Sequence, residues 1–224
     1  MLNLNEFNTM ARVAEFQVEK NRKFLSATHE EIQAGATTDI YFVKTLDILH
    51  DMGLENTRVT AEIFARKSGV IAGVGEVLNL LKDKDVEVWA LPEGTEFQGK
   101  DVLMRIKGKY SEFGLFETTL LGFLASSSGW ATAAKLAKEA AGDCAMSCFG
   151  ARHVHPAVAP VMERAALVGG ADSASCILGA KLFGQEPAGT APHALILIVG
   201  DTVEAALAYH RAMPPGALRL ILVD

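Results

Sequence analysis

Cysteine is scarce: Cys144, Cys148 and Cys176 make an odd count of three with no CxxC spacing, which points to neither a disulfide framework nor a zinc knuckle. A reducing compartment is the expected setting. Positive charge is also in deficit, with 21 Lys and Arg against 27 Asp and Glu and a net charge of −6. Such a surface is not built to neutralise a nucleic-acid backbone or an anionic membrane, so any phosphate the chain binds must be held locally. No GxxxxGK[ST] occurs, which excludes ATP binding through a P-loop. The best uncharged stretch, Thr118 to Ala134, is broken by SSSG and several threonines and is too polar and short to span a bilayer. The start, MLNLNEFNTM, has no basic segment leading into an apolar core, so no signal peptide is read there. The expectation is a cytoplasmic protein with neither nucleic acid nor membrane as a partner.

What is present is a core-forming composition. Half of the 224 residues are hydrophobic, 21% are charged, and 20 Gly against 7 Pro is ordinary usage, which excludes a disordered or collagenous chain. At about 150 residues per domain the length accommodates one large domain or two small ones.

Residues 8–32 alternate charge with Val13, Phe16, Val18 and Phe24, a weak helical or mixed pattern. Asp39 to Met52 places Ile40, Val43, Leu46, Ile48 and Leu49 near helical spacing, and Gly53 is a stop signal. VTAEIFA over residues 59–65 reads as a strand, GVIAGVGEVLNLLK as strand, turn and helix, and EVWAL and VLMRIKG as short strands around a turn-rich PEGTEFQGKD. Residues 1–110 thus form an expected mixed α/β domain. Ser111 to Ala141, rich in Ala and Leu with early Glu and late Lys, predicts one long helix. Then follow AMSCFGA as a buried strand, Pro156 to Val168 as a helix with Pro at its start, GGADSAS as strand and loop, and Cys176 to Phe183 as a helix. EPAGT leads into Pro192 to Val199, where His193 begins an apolar helix; Thr202 to Met213 is helical and LRLILVD a closing strand. Such alternation signals a parallel α/β sheet or barrel, so residues 111–224 are expected to be part of one. The chain ends at Asp224 directly after an apolar strand, where this architecture places a functional loop and a covering helix. The expectation is an amino-terminal portion of a longer protein.

Barrel sites draw on the carboxyl ends of several strands. Here those ends carry Phe149 and Arg152 with His153 and His155, then Asp172, Ser173 and Ser175, then His193, then Asp224. Arg152 offers a planar fork for a carboxylate or phosphate, although a lone Arg after a strand is more often simply solvated or ion-paired. His153 and His155 alternate and share one side of an extended segment, which fits metal ligation, helix capping or core packing. His193, at the start of an apolar helix, is either structural or a nucleophile able to accept phosphate.

The run ETTLLGFLASSSGWATAAKLA, then FGARHVHP, ERAALVGGADSASCILGAKLFG, GTAPHALI and LILVD, with TDIYF near the start, resembles nicotinate phosphoribosyltransferases of the archaeal-like branch, within the type II phosphoribosyltransferases. The resemblance implies an amino-terminal mixed α/β domain followed by an incomplete, truncated TIM-like α/β barrel, assembled as a homodimer or higher oligomer with shared sites. It implies that nicotinate and 5-phosphoribosyl 1-diphosphate give nicotinate mononucleotide and diphosphate, with Mg²⁺ and ATP as co-substrate. Matched by position, Phe149 stacks on the pyridine, Tyr41 comes from the partner subunit, and Arg152 is the ligand-side arginine. Asp172, Ser173 and Ser175 lie near the pyridine, His193 is the phosphorylated histidine, and Asp224 faces the ribose hydroxyls. No resident metal site is implied, His153 and His155 match no family role, and the phosphate loops of the second barrel half would lie beyond Asp224. The competing readings are a sibling enzyme for nicotinamide or quinolinate, and an inactive fragment that binds nicotinate or dimerises.

Overall fold

The mixed pattern near the amino terminus yields two short helices. A computed structural model describes residues 6–217 and 219–223, beginning with α1 (Met10–Glu15) and α2 (His29–Gln33). Each starts on a threonine: Thr9 accepts from the Arg12 N–H, and Thr28 and Glu31 form a reciprocal capping box. Glu31 also takes the Arg22 guanidinium, 2.7 Å from Nη2 to Oε2. The Arg22 fork, helped by the Thr28 N–H, holds the Glu31 carboxyl down at about 2.

The third helix, α3 (Ile40–Asp51), follows Asp39 and buries Phe42, Val43 and Leu46. Asp39 accepts from the Thr118 hydroxyl and donates its N–H to the same oxygen, both at 3.0 Å, which fixes the start of the helix to a later one. The chain leaves α3 through Gly53 at φ +69°, the left-handed conformation that glycine adopts without penalty.

β1 (Arg58–Phe64), β2 (Gly69–Val70), α4 (Val74–Leu81), β3 (Val86–Ala90), β4 (Glu96–Phe97) and β5 (Val102–Lys109) follow. β5 is the central strand of an antiparallel sheet ordered β1-β5-β3, with Val59 and Val86 both opposite Gly108 and Ala90 opposite Met104. β1 alternates exposed and half-buried residues, the period-2 signature of a sheet with one covered face. Beneath it Ile106, Met104, Leu103, Val77, Ile71, Phe113, Phe116 and Leu120 form the principal core.

The helix expected over Ser111 to Ala141 is interrupted. α5 (Tyr110–Phe113) passes through a 3-10 turn at Gly114–Phe116 into α6 (Glu117–Ala141). The tighter turn lets Phe113, Leu115 and Phe116, each 1% exposed, enter one core, which regular α-helical spacing would spread around the axis. α6 serves two neighbours. On one side Thr132 accepts from the Val70 N–H at 2.9 Å and Ser128 from the Ala72 N–H at 3.1 Å. On the other it meets α7 (Ala159–Val168), where a Cβ on Gly169 would lie 2.0 Å from the Ala131 carbonyl oxygen.

Between α6 and α7 lies β6 (Ser147–Cys148), and after α7 come β7 (Ser173–Ala174), α8 (Ile177–Phe183), α9 (His193–Val199) and α10 (Thr202–Ala212). β6 and β7 pair in parallel, Ser147 opposite Ser173 and Cys148 opposite Ala174. The Ala188 N–H donates to the Ala174 carbonyl at 2.9 Å, and Ala191 bridges Ile221 in parallel. The β-α-β succession expected of a barrel is therefore present, built around an alanine-rich core of Ala134, Ala166, Ala171, Ala174 and Ala180. AMSCFGA is not the buried strand its composition suggests. Only Ser147 and Cys148 pair, and none of residues 145–151 is buried, because among the described residues the segment has a strand neighbour on one edge alone. The helix expected from Pro156 starts instead at Ala159 with Pro160 in its first turn, where a missing N–H costs nothing. LRLILVD is reduced to the Ile221 bridge, and its Leu218 and Asp224 lie outside the described residues.

Candidate active site

In a parallel sheet the loops at the carboxyl ends of neighbouring strands open on the same side. Beyond β6 those loop residues are Phe149 and Arg152, the latter in a 3-10 turn at Ala151–His153, and beyond β7 they are Ser175 and Cys176. Phe149 is 49% exposed, and Arg152 is exposed. An accessible aromatic face and an accessible guanidinium fork thus stand three residues apart.

These loops are joined by a residue that sequence reasoning missed. The side chain of Glu163, on α7, is completely buried. Its Oε1 accepts from the Ala151 N–H at 2.9 Å and from the Ser175 hydroxyl at 3.1 Å, and its Oε2 accepts from the Cys176 N–H at 2.5 Å. A signal was available, because Ala159, Met162, Glu163, Ala166 and Leu167 fall on one buried stripe of the helix. A carboxylate on such a stripe has to be satisfied internally.

The opposite edge of the pair carries Asp172. Its Oδ2 accepts from Lys138 Nζ at 2.8 Å and from the Met146 N–H at 2.7 Å, while the Asp172 N–H returns to the Met146 carbonyl at 2.8 Å. Lys138 and then the Met146 N–H hold its carboxyl below the usual carboxylate range. Asp172 was expected beside the pyridine or as a cap on the next helix. It precedes β7, so strand direction puts it on the amino-terminal edge, away from Phe149 and Arg152, and α8 is preceded by Cys176 instead. Ser173 lies within β7, its hydroxyl 2.7 Å from that of Ser147 across the pair.

His155 Nδ1 accepts from the Ala157 N–H at 3.1 Å, organising the turn into α7. Among the described residues no three His, Cys, Asp or Glu gather into a metal-holding group. Burial pushes the Cys148 thiol up, away from the thiolate form needed of a nucleophile. His193 begins α9 two residues after the Ala191 bridge and is exposed.

Tyr41 is 55% exposed on α3 and tilts against Phe42 with ring centroids 4.3 Å apart. Partial burial, and then the Asp39 carboxylate, raise its hydroxyl pKa. Among the described residues it makes no hydrogen bond or ring contact with Phe149 or Arg152 of the same chain. A cavity of about 490 Å³ opens elsewhere, between α2, α4, α6 and the turn before α7. Ile32, Phe123, Trp130 and Val158 line it, with His29 and Glu76 at its polar side, and none of the expected site residues reaches it. Burial raises the Glu76 carboxyl pKa.

Comparison with known proteins bears on this arrangement. Residues 39–128 match the family described as quinolinate phosphoribosyl transferase, N-terminal domain. A crystal structure of nicotinate-nucleotide pyrophosphorylase from Pyrococcus furiosus superposes with a TM-score of 0.86 at 42% identity, over 91% of this chain and 54% of that one. The chain has the type II phosphoribosyltransferase fold. Nicotinate phosphoribosyltransferase pncB1 of Mycobacterium tuberculosis is 26% identical over 198 residues, 74% of this chain and 44% of its own. Nicotinate phosphoribosyltransferase 2 of Arabidopsis thaliana is 35% identical over 123 residues, 54% of this chain and 22% of its own. The chain spans about half the length of the relatives it matches, or less. No helix among the described residues is long and apolar enough to cross a membrane.

Proposed function

We propose that the protein is a nicotinate phosphoribosyltransferase acting in NAD biosynthesis. The nicotinate ring nitrogen attacks C1 of the ribose of 5-phosphoribosyl 1-diphosphate. The C1–oxygen bond breaks, diphosphate leaves with the electron pair, and nicotinate mononucleotide forms. The observation that carries the reading is the accessible Phe149 ring and Arg152 fork on the carboxyl edge of the parallel pair. A flat, electron-poor pyridine suits an aromatic face, and its single carboxylate suits one guanidinium. The remaining work is positioning and electrostatics as positive charge develops on the ribose.

In this reading Ser175 supports the pyridine side and Tyr41 closes the site of a neighbouring subunit in a homodimer or higher oligomer, while Asp172 and Ser173, held by Lys138 and Ser147, stay out of it; Asp224, outside the described residues, is the group proposed for the ribose hydroxyls. ATP is the co-substrate, with His193 as phosphoryl acceptor. The described residues offer no carboxylate cluster for Mg²⁺, so no step is assigned to it. Mg²⁺ commonly keeps to substrate phosphates with only one or two protein carboxylates, and it would arrive with the diphosphate.

The family matched by residues 39–128 favours a second reading, quinolinate as acceptor. Quinolinate carries two adjacent carboxylates and must also lose one as carbon dioxide, which calls for a second cation. On this edge Arg152 is the one permanent cation among residues 149–155, and Lys138 is occupied by Asp172 on the opposite edge. We therefore place nicotinate first. Arg152→Ala tests the assignment. Losing a charge-assisted hydrogen bond of about 1.5–3 kcal/mol raises the nicotinate KM by about tenfold or more with kcat little changed. An unchanged KM removes Arg152 from the site.

A further inference from the structure

We infer that Glu163 is a positioning residue, whose buried carboxylate ties the loop after β6 to the loop after β7 and so sets where Arg152 and Ser175 stand. Three donors from two loops converge on its two oxygens: the Ala151 N–H, the Ser175 hydroxyl and the Cys176 N–H. Ala151 immediately precedes Arg152, so the first of these bonds fixes the backbone from which the guanidinium projects. No Lys, Arg or His pairs with Glu163 among the described residues. The charge is compensated by oriented N–H and O–H dipoles alone.

Taking a carboxylate wholly out of water is costly, and a well-packed apolar side chain usually stabilises a core as well or better. What an apolar residue lacks is the ability to hold two loops in one register. The packing around Glu163 serves that end. Gly179 of α8 lies over it, and a Cβ there would come within 3.2 Å of the Glu163 Cβ and 3.0 Å of the Pro160 carbonyl oxygen. α8 thus seals the carboxylate from water without displacing it. The amino-terminal edge is secured separately by Lys138 and Asp172, so the strand pair does not depend on Glu163 for its pairing. The division leaves Glu163 to the edge that carries the proposed site.

Glu163→Gln keeps the shape but gives the side chain one acceptor oxygen and one donor nitrogen. It can satisfy the donors on one oxygen only by setting its NH₂ against the N–H on the other. Amide hydrogen exchange is then expected to speed up by about tenfold or more at Ala151 and Cys176, while β1, β3 and β5 keep wild-type rates. If Glu163→Gln does not fold, Glu163→Asp retracts the charge by one methylene, about 1.5 Å, and gives the same reading. Exchange that is unchanged at both amides, or that rises evenly through the chain, overturns the inference. On the nicotinate reading, the nicotinate KM also rises on the order of tenfold while the KM for 5-phosphoribosyl 1-diphosphate and kcat hold. The inference rests on that reading only for this kinetic arm. A wild-type protein without nicotinate turnover would sink the proposed function and leave the exchange result to decide the role of Glu163.

Discussion

Replacing Glu93 with Ala removes an ion pair that links the segment after β3 to α7. Glu93 lies after β3 and accepts both Arg164 terminal nitrogens, at 3.3 and 2.7 Å, together with the Gly73 N–H at 2.6 Å. The two side chains are 31% and 23% exposed. The pair therefore sits between a surface ion pair, worth up to about 1 kcal/mol, and a buried one, whose breakage costs about 3–5 kcal/mol. A loss of about 2 kcal/mol follows, since Gly73 also loses its acceptor. For a chain of this size that lowers the melting temperature by about 4–8 °C. Burial alone would raise the Glu93 carboxyl, but the Arg164 fork and the Gly73 and Val74 N–H groups outweigh it and the net shift is downward. A depressed carboxyl contributes stability above its unfolded pKa and loses it as pH falls through the folded value. The difference between wild type and Glu93→Ala is thus full near neutrality and shrinks below about pH 4.5. Thermal unfolding of both proteins across that range is the assay. A change under about 0.5 kcal/mol at pH 7, typical of an ordinary surface substitution, or a difference that grows on acidification, refutes the reasoning.

Two further outcomes are expected. If Tyr41 serves a neighbouring site, mixing Tyr41→Ala and Arg152→Ala subunits at nicotinate well below the raised KM, where each variant alone turns over slowly, restores part of the activity, because mixed dimers contain one intact site; no recovery after confirmed subunit exchange confines Tyr41 to its own subunit. His193→Asn retains nicotinate binding and loses coupled ATP hydrolysis, since an amide cannot carry the phosphoryl group; hydrolysis still in step with nucleotide synthesis, or phosphate mapped to His153 or His155, contradicts the role.

Local periodicity and turn chemistry made much of the fold legible. α3 runs within the Asp39 to Met52 span read from its apolar spacing, and Gly53 ends it with a positive φ. What escaped depends on tertiary contact. The break at Gly114–Phe116 exists because three large side chains share one core. The modest burial of residues 145–151 reflects which edges find partners, which composition does not encode. At the site, Phe149, Arg152 and Ser175 fall on the edge that strand direction implies. Asp172 falls on the other, because β7 begins at Ser173 and composition does not encode where pairing starts. Glu163 is masked in the sequence because ERAALVGG has the composition of an ordinary helix, although its carboxylate interrupts a buried stripe.

One competition measures which pyridine is the acceptor. Equal amounts of nicotinate and quinolinate, carrying distinguishable isotopes in ring and carboxyl groups, are offered to the protein with 5-phosphoribosyl 1-diphosphate, ATP and Mg²⁺. The expected product is nicotinate mononucleotide bearing the nicotinate label, with no labelled carbon dioxide, and it falls strongly in Arg152→Ala. Product bearing the quinolinate label, with matching carbon dioxide release, contradicts that expectation.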